Sequence, residues 1–184
     1  LPGAGAEPLE PVTLLLNQPA DMDSESARAS INMGSLSETH REGVRALHGH
    51  FARQACVAPL ERGASGLQVF TQDWRVTRKI EADLRRLEQE FIVEVRGQTT
   101  PQALERLARG AMRNDRELPK AKASWQNETH LRMALKNPQP GQIAELCAYL
   151  RLELVGMRRI RLGGVSMGKL PLGQWRYVAA TERF

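Results

Sequence analysis

Apolar residues along this chain follow two rhythms, and each rhythm predicts an element. "VTLLL", residues 12–16, reads as a short buried strand closed by a turn at Asn17 to Pro19. From Asp21 to about Thr39 large apolar residues are scarce, and the composition predicts a long surface loop. "SETHREGVRALHGHFARQA" places Val44, Leu47 and Phe51 at helical spacing behind Ser37 as a possible N-cap, which predicts a helix. In "SGLQVFTQD" Leu67, Val69 and Thr71 share one face of a strand. "DWRVTRKIEADLRRLEQ" predicts a charged helix, with Asp73 either capping it or ending the preceding turn.

"EFIVEVRG" alternates Phe91, Val93 and Val95 against Ile92 and Glu94, a strand. "TPQALERLARGAM" opens a helix with Thr100 as N-cap and Pro101 in the first turn. "KAKASWQ" and "THLRMALK" read as a hairpin, and "GQIAELCAYLRL" sets Ile143, Leu146, Cys147 and Leu150 on one helical face. "ELVGMRRIRLGGVSMGKL" and "GQWRYV" end the chain with strands joined by Gly-rich turns. Hairpin-linked strands with helices packed against them predict an α+β fold on a central mixed or antiparallel sheet. Residues 1–11, rich in Pro, Gly and Ala, read as a linker or flexible N-terminus, and 12–184 as one domain.

Composition narrows the function classes. At 184 residues, with 41% hydrophobic and 26% charged, the chain can bury a sizeable core. No apolar run reaches the roughly 18 residues of a membrane span, and the opening residues lack the pattern of a signal peptide, so a cytoplasmic protein is expected. Cys56 and Cys147 form no CxxC pair and read as free thiols in a reducing compartment. His48 and His50 fall on nearly opposite sides of the expected helix, so they could share one metal ion only if that helix breaks. Ser65 sits in G-A-S-G-L rather than the G-x-S-x-G of a nucleophile elbow, and His130 is distant in sequence. Trp74, Trp125 and Trp175 read as core or packing residues before base-stacking ones.

Lys plus Arg exceed Asp plus Glu by 26 to 21, a net charge of +5 that favours an anionic partner. The basic density peaks in "MRRIRLGG". Strict alternation there puts Arg159 and Arg161 on one face and Arg158 on the other. Such a strand serves equally as a phosphate-binding edge or as a solvated edge whose charges discourage aggregation.

The C-terminal third carries the most specific pattern. "GQIAELCAYLRLELVGMRRIRLGGVSMGKLPLGQWRYV" resembles the closing segment of the RsuA-type bacterial ribosomal-RNA pseudouridine synthases. That segment is a helix of the form N-R-Q-[IV]-R-R-M-C, a strand ending in R-[IV], and L-x-x-G-x-W-R. Gln142, Ile143 and Cys147 keep their places in it, as do Leu170, Gly173, Trp175 and Arg176. "PLERGASGL" then falls on the family's R-L-D-x-x-[ST]-x-G-L turn, "EFIVEV" on K-x-Y-x-V-x-V, and "VTLLLNQP" on the strand before N-K-P. The likeness runs in order over about residues 12 to 178. An S4-type RNA-binding domain, which the family often carries ahead of the catalytic one, is not expected within residues 1–11.

The resemblance implies a domain that takes a uridine out of folded, ribosomal RNA and reattaches its base through C5, using no cofactor and no metal. It implies Glu61 at the catalytic aspartate position, Phe91 stacking on the base and Gln142 lining the pocket. It also implies RNA contacts by Arg158, Arg159, Arg161 and Arg176, in a protein expected to act as a monomer away from membranes. Departures from the pattern concentrate at the site. Glu61 adds one methylene, which moves the carboxylate by about 1.5 Å. The arginine that pairs with the family aspartate is Ala144, followed by Glu145; the arginine before Gln142 is Gly141, and the pocket tyrosine is Phe91. Arg62 is the neighbouring candidate for a replacement cation. The expected function is therefore RNA pseudouridine synthesis by a variant site, or RNA or protein binding on a fold that has lost the chemistry.

Overall fold

A computed structural model describes residues 9–38 and 44–184. Its core is a nine-stranded sheet in the order β11-β1-β3-β9-β4-β8-β7, with β2 (Ala55–Val57) paired to β3 and β10 (Val165–Ser166) to β9. The strands of the main path are β1 (Thr13–Gln18), β3 (Ser65–Thr71), β4 (Glu88–Arg96), β7 (Ala121–Trp125), β8 (His130–Lys136), β9 (Glu153–Leu162) and β11 (Trp175–Tyr177). A small ribbon of β5 (Met112–Arg113) and β6 (Arg116–Glu117) stands apart. All pairings in the large sheet are antiparallel except β3 with β9, so the sheet is mixed and the fold α+β, as expected. No helix among the described residues is long and apolar enough to cross a membrane.

The four helices are α1 (Ser24–Ala29), α2 (Trp74–Asp83), α3 (Pro101–Arg109) and α4 (Gln142–Tyr149). In α3 the Thr100 side chain accepts the Ala103 N–H and Pro101 occupies the first turn, the start that the sequence predicts. In α4 the predicted stripe is the buried face: Ile143, Leu146, Cys147 and Leu150 all pack with Phe91, Val93 and Val95 of β4 and Leu131, Met133 and Leu135 of β8. That cluster forms one half of the core. A second gathers Leu15, Leu67, Val69 and Leu162 under Ile80 of α2, and a third gathers Leu14, Leu16 and Phe70 around Trp175.

Four expectations are corrected. The loop expected at 21–39 contains α1, capped by Asp23 through the Ser26 N–H at 2.7 Å, and a single tight turn at Met33–Ser35 capped by Asn32. Asp, Ser and Asn give loop-like composition and good caps alike, and buried Ala27 supplies the packing. The helix expected after Ser37 does not form among the described residues: 39–43 lie outside them, 44–47 are irregular, and His48–Phe51 make one 3₁₀ turn. Tertiary contacts override helical spacing here, because Phe51 packs edge-on to Trp175 and His50 bonds to Tyr177. Helix α2 ends at Asp83, short of the expected stretch through Gln89, because β4 starts at Glu88. Of the tryptophans, Trp175 is fully buried, whereas Trp74 lies open with Arg78 stacked over its ring and Trp125 is exposed.

His50 and Glu90 contribute to the acid response of the fold. His50 is buried, its Nδ1 facing the Leu47 N–H and the Tyr177 hydroxyl, and burial lowers its pKa below the ordinary 6.5. Glu90 accepts from Arg132 and Arg161, which together hold its pKa down to about 2 from 4.5. Below each ordinary value the unfolded chain binds more protons than the folded one, so stability falls as pH falls. Urea midpoints are expected to hold level above about pH 6.5, to drop below it through His50, and to drop again between about 4.5 and 2 through Glu90. His50→Gln should remove the first drop and leave the second.

Candidate active site

The turn between β2 and β3 is shaped by its backbone. Ala58 and Gly63 take left-handed conformations, with φ of 47° and 87°. The Glu61 carbonyl accepts the Ala64 N–H at 3.0 Å, closing a tight turn, and the Leu60 N–H donates to Gln68 Oε1 at 3.0 Å. The backbone beneath Glu61 is thereby fixed from both sides. Gly66, which starts the buried run of β3, lies against the β9 backbone: a Cβ there would stand 2.2 Å from the Arg159 carbonyl oxygen. Its φ of +103° also favours glycine. Strands β3 and β9 are paired at Ser65 with Arg158 and Gly66 with Arg159, so this glycine sits at the seam of the sheet.

Around that seam Glu61, Phe91 and Arg159 line one cavity of about 150 Å³, walled further by Gln89 and by Pro59, Pro138 and Pro140. Phe91 is 4% exposed. Glu61 also borders an open cleft of about 770 Å³, whose opposite wall is Gln18 and the acidic segment holding Asp21 and Asp23. Glu61 Oε2 accepts the Gly141 N–H at 3.3 Å, at the cap of α4, where the helix dipole favours negative charge. Glu61 has no ion pair among the described residues.

Arg159 is the buried cation of this cavity. Nε donates to the Leu67 carbonyl at 3.0 Å, one terminal nitrogen to Gln89 Oε1 at 3.2 Å, and the other to the Ala58 carbonyl at 2.8 Å. All three acceptors are neutral. Burial lowers its pKa to about 10, which leaves it charged at neutral pH.

The other residues singled out in the sequence are placed apart. Gln142 Oε1 accepts the Gln139 N–H at 2.8 Å, bracing the turn into α4, and is not a wall of the cavity. Arg62 is exposed on the open cleft. The basic strand does not follow strict alternation: a register shift against β4 between Glu90 and Phe91 pairs Phe91 with Arg159 but Glu90 with Arg161. Arg161 therefore shares the face of Arg158, and Arg159 turns inward. Arg161 is ion-paired with Glu88 and Glu90, and Arg176 with Glu182, which leaves Arg158 exposed with no partner among the described residues. Sequence reasoning missed Gln89 and the inward course of Arg159. Period two counted back from Phe91 points to Gln89; the bulge that returns Arg161 to the face of Arg158 has no sequence signal.

No family model matches the chain. Over 171 residues, 93% of this chain and 56% of the relative, it is 23% identical to the dual-specificity RNA pseudouridine synthase RluF of Salmonella typhi. The chain thus spans little more than half the length of that relative. The crystal structure of a pseudouridylate synthase superposes with a TM-score of 0.73, covering 92% of this chain and 71% of the other at 16% identity. The chain has the pseudouridine-synthase fold, and it resembles the RsuA type.

Gly66→Ala tests the seam. It is expected to lower stability by more than Gly168→Ala, which adds a Cβ at positive φ with nothing within 4 Å. The second change carries only the left-handed penalty of about 1–2 kcal/mol. Equal losses in urea unfolding would show that the β9 contact is not what requires glycine.

Proposed function

We propose that this chain acts on structured RNA, ribosomal RNA being the class its resemblance favours, by admitting a uridine base to the cavity between Phe91 and Glu61. What supports this reading is the convergence of a carboxylate, an aromatic ring and a buried cation on one small cavity from three separate segments. A cavity of about 150 Å³ is large enough to hold a benzene-sized ring. A base flipped out of the stack is held in such a pocket by stacking and by hydrogen bonds to its edge. In the catalytic reading Glu61 attacks the nucleotide, the bond from C1′ to N1 breaks, and the base turns and rejoins C1′ through C5. The C5 hydrogen leaves to water and N1 ends protonated, so no cofactor is consumed. The added methylene of Glu61 puts its oxygens off the aspartate position, and a displacement near 1 Å costs about a hundredfold in rate.

A second reading, a module that binds RNA without chemistry, is favoured by one observation: Glu61 has no cationic partner among the described residues, and Ala144 stands where the family has its arginine. Tritium release from RNA labelled at uridine C5 separates the two. Release by the wild type, absent in Glu61→Ala and faster in Glu61→Asp, is expected. No release from wild-type protein that still binds RNA would leave the binding module.

RNA affinity is expected to fall with salt through counterion release. Because Arg158 is the unpaired arginine of the basic strand, Arg158→Ala should lower the log–log salt slope by about 0.7 to 0.9. A slope unchanged by that substitution would remove the strand from the RNA contact.

A further inference from the structure

Arg159 is an anomaly in its own surroundings. A buried guanidinium is ordinarily compensated by a carboxylate, because an uncompensated charge in the interior is costly. Here its acceptors are two backbone carbonyls and an amide oxygen. The neighbouring titratable group, Cys56, supplies no anion: burial pushes its thiol pKa up, so it stays neutral at pH 7. Of the five N–H groups of a guanidinium, three are used. Two, on the terminal nitrogens, have no partner among the described residues. Gln89 repeats the pattern, for its Oε1 accepts from Arg159 while its amide NH₂ has no partner among the described residues. Both side chains are walls of the cavity that holds Phe91 and Glu61.

We infer that Arg159 and Gln89 form the donor edge of this cavity and recognise the carbonyl oxygens of a uracil ring, an inference that rests on the base-pocket reading above. A wall that offers N–H groups suits the two carbonyl acceptors of uracil. It opposes the amino group that cytosine carries in place of one of them, and sites built on hydrogen bonds reject analogues that leave their buried groups unpaired. The charge has a second use. When the bond from C1′ to N1 breaks with its electron pair going to the base, the released uracil is an anion. A guanidinium held in place beside the ring stabilises the charge as it develops. The bonds to Ala58 and Leu67 hold that guanidinium in place, and the bond to Gln89 joins the two donors.

The test uses the full chain with ¹⁵N- and ¹³C-labelled arginine, titrated with free uracil and, separately, with free cytosine. One slowly exchanging guanidinium signal, identified by its loss in Arg159→Lys, should shift with uracil and not with cytosine. Gln89→Leu should weaken uracil binding at least about tenfold. If Arg159→Lys does not fold, the signal is identified as the one that moves in Gln89→Leu, which deletes its acceptor. A signal unmoved by uracil, or moved equally by cytosine, overturns the inference even where tritium is released from RNA. A signal that shifts with uracil in a protein that neither binds RNA nor releases tritium upholds the donor edge and instead defeats the proposed function.

Discussion

Two residue pairs, Ser65 with Arg158 and Gly66 with Arg159, join the halves of this sheet. On one side of them lie β1, β2 and β11, with the cores under α1 and α2; on the other lie β4, β7 and β8, with the core under α3 and α4. Arg159 spans the seam. Its backbone pairs with Gly66 and Phe91, and its side chain reaches the Leu67 and Ala58 carbonyls, so strand β3 and the approach to Glu61 hang on one guanidinium. Phe91 belongs to one half and the Glu61 turn to the other. Their separation is therefore set by the seam, and a cavity arises where the halves meet.

The same strand shows positive charge committed within the sheet rather than offered to a partner. The net charge of +5 suggests a basic face, yet Arg132 and Arg161 converge on Glu90, Arg161 also reaches Glu88, and Arg176 is taken by Glu182. The Glu90 cluster links β8, β4 and β9 across the face opposite α4, adding charge-assisted bonds to a wall of the cavity. These three arginines brace the sheet. Attraction for an anionic chain then falls to the exposed cations outside these pairs, Arg158 of the basic strand among them.

Legibility in the sequence followed the strength of local signals. Helix α3 was readable because cap and period agree, and helix α4 and strand β4 because period and burial agree. The segment after Ser37 misled because Val44, Leu47 and Phe51 keep helical spacing, while Phe51 and His50 are claimed by Trp175 and Tyr177 over a hundred residues away. At the site, the family pattern led to Glu61 and Phe91, which do border one cavity, and to Gln142, which braces a turn instead. Alternation sets Arg159 and Arg161 together against Arg158 but gives no sign of which face is buried. One bulged residue reverses the faces beyond it, and that depends on pairing with β4, which no local pattern encodes.

The two main departures from the family pattern bear on each other through α4. The helix that carries the family's arginine carries Ala144 here, and the first backbone donor at its cap is the Gly141 N–H. An aspartate at position 61 would stop one methylene short of the place where the Glu61 carboxylate meets that donor. The glutamate spans the gap, and its charge settles at the positive end of the helix, an interaction worth about 0.3–1 kcal/mol. Gly141 accepts the left-handed φ of 86° that this cap requires. Lengthening the acid thus offsets part of what the lost arginine supplied, by exchanging a side-chain partner for a backbone one. The exchange has a geometric consequence: a carboxylate held at the cap of α4 must leave that N–H to reach a ring stacked on Phe91. In the catalytic reading proposed above, the contact that stabilises the resting carboxylate would oppose the first step.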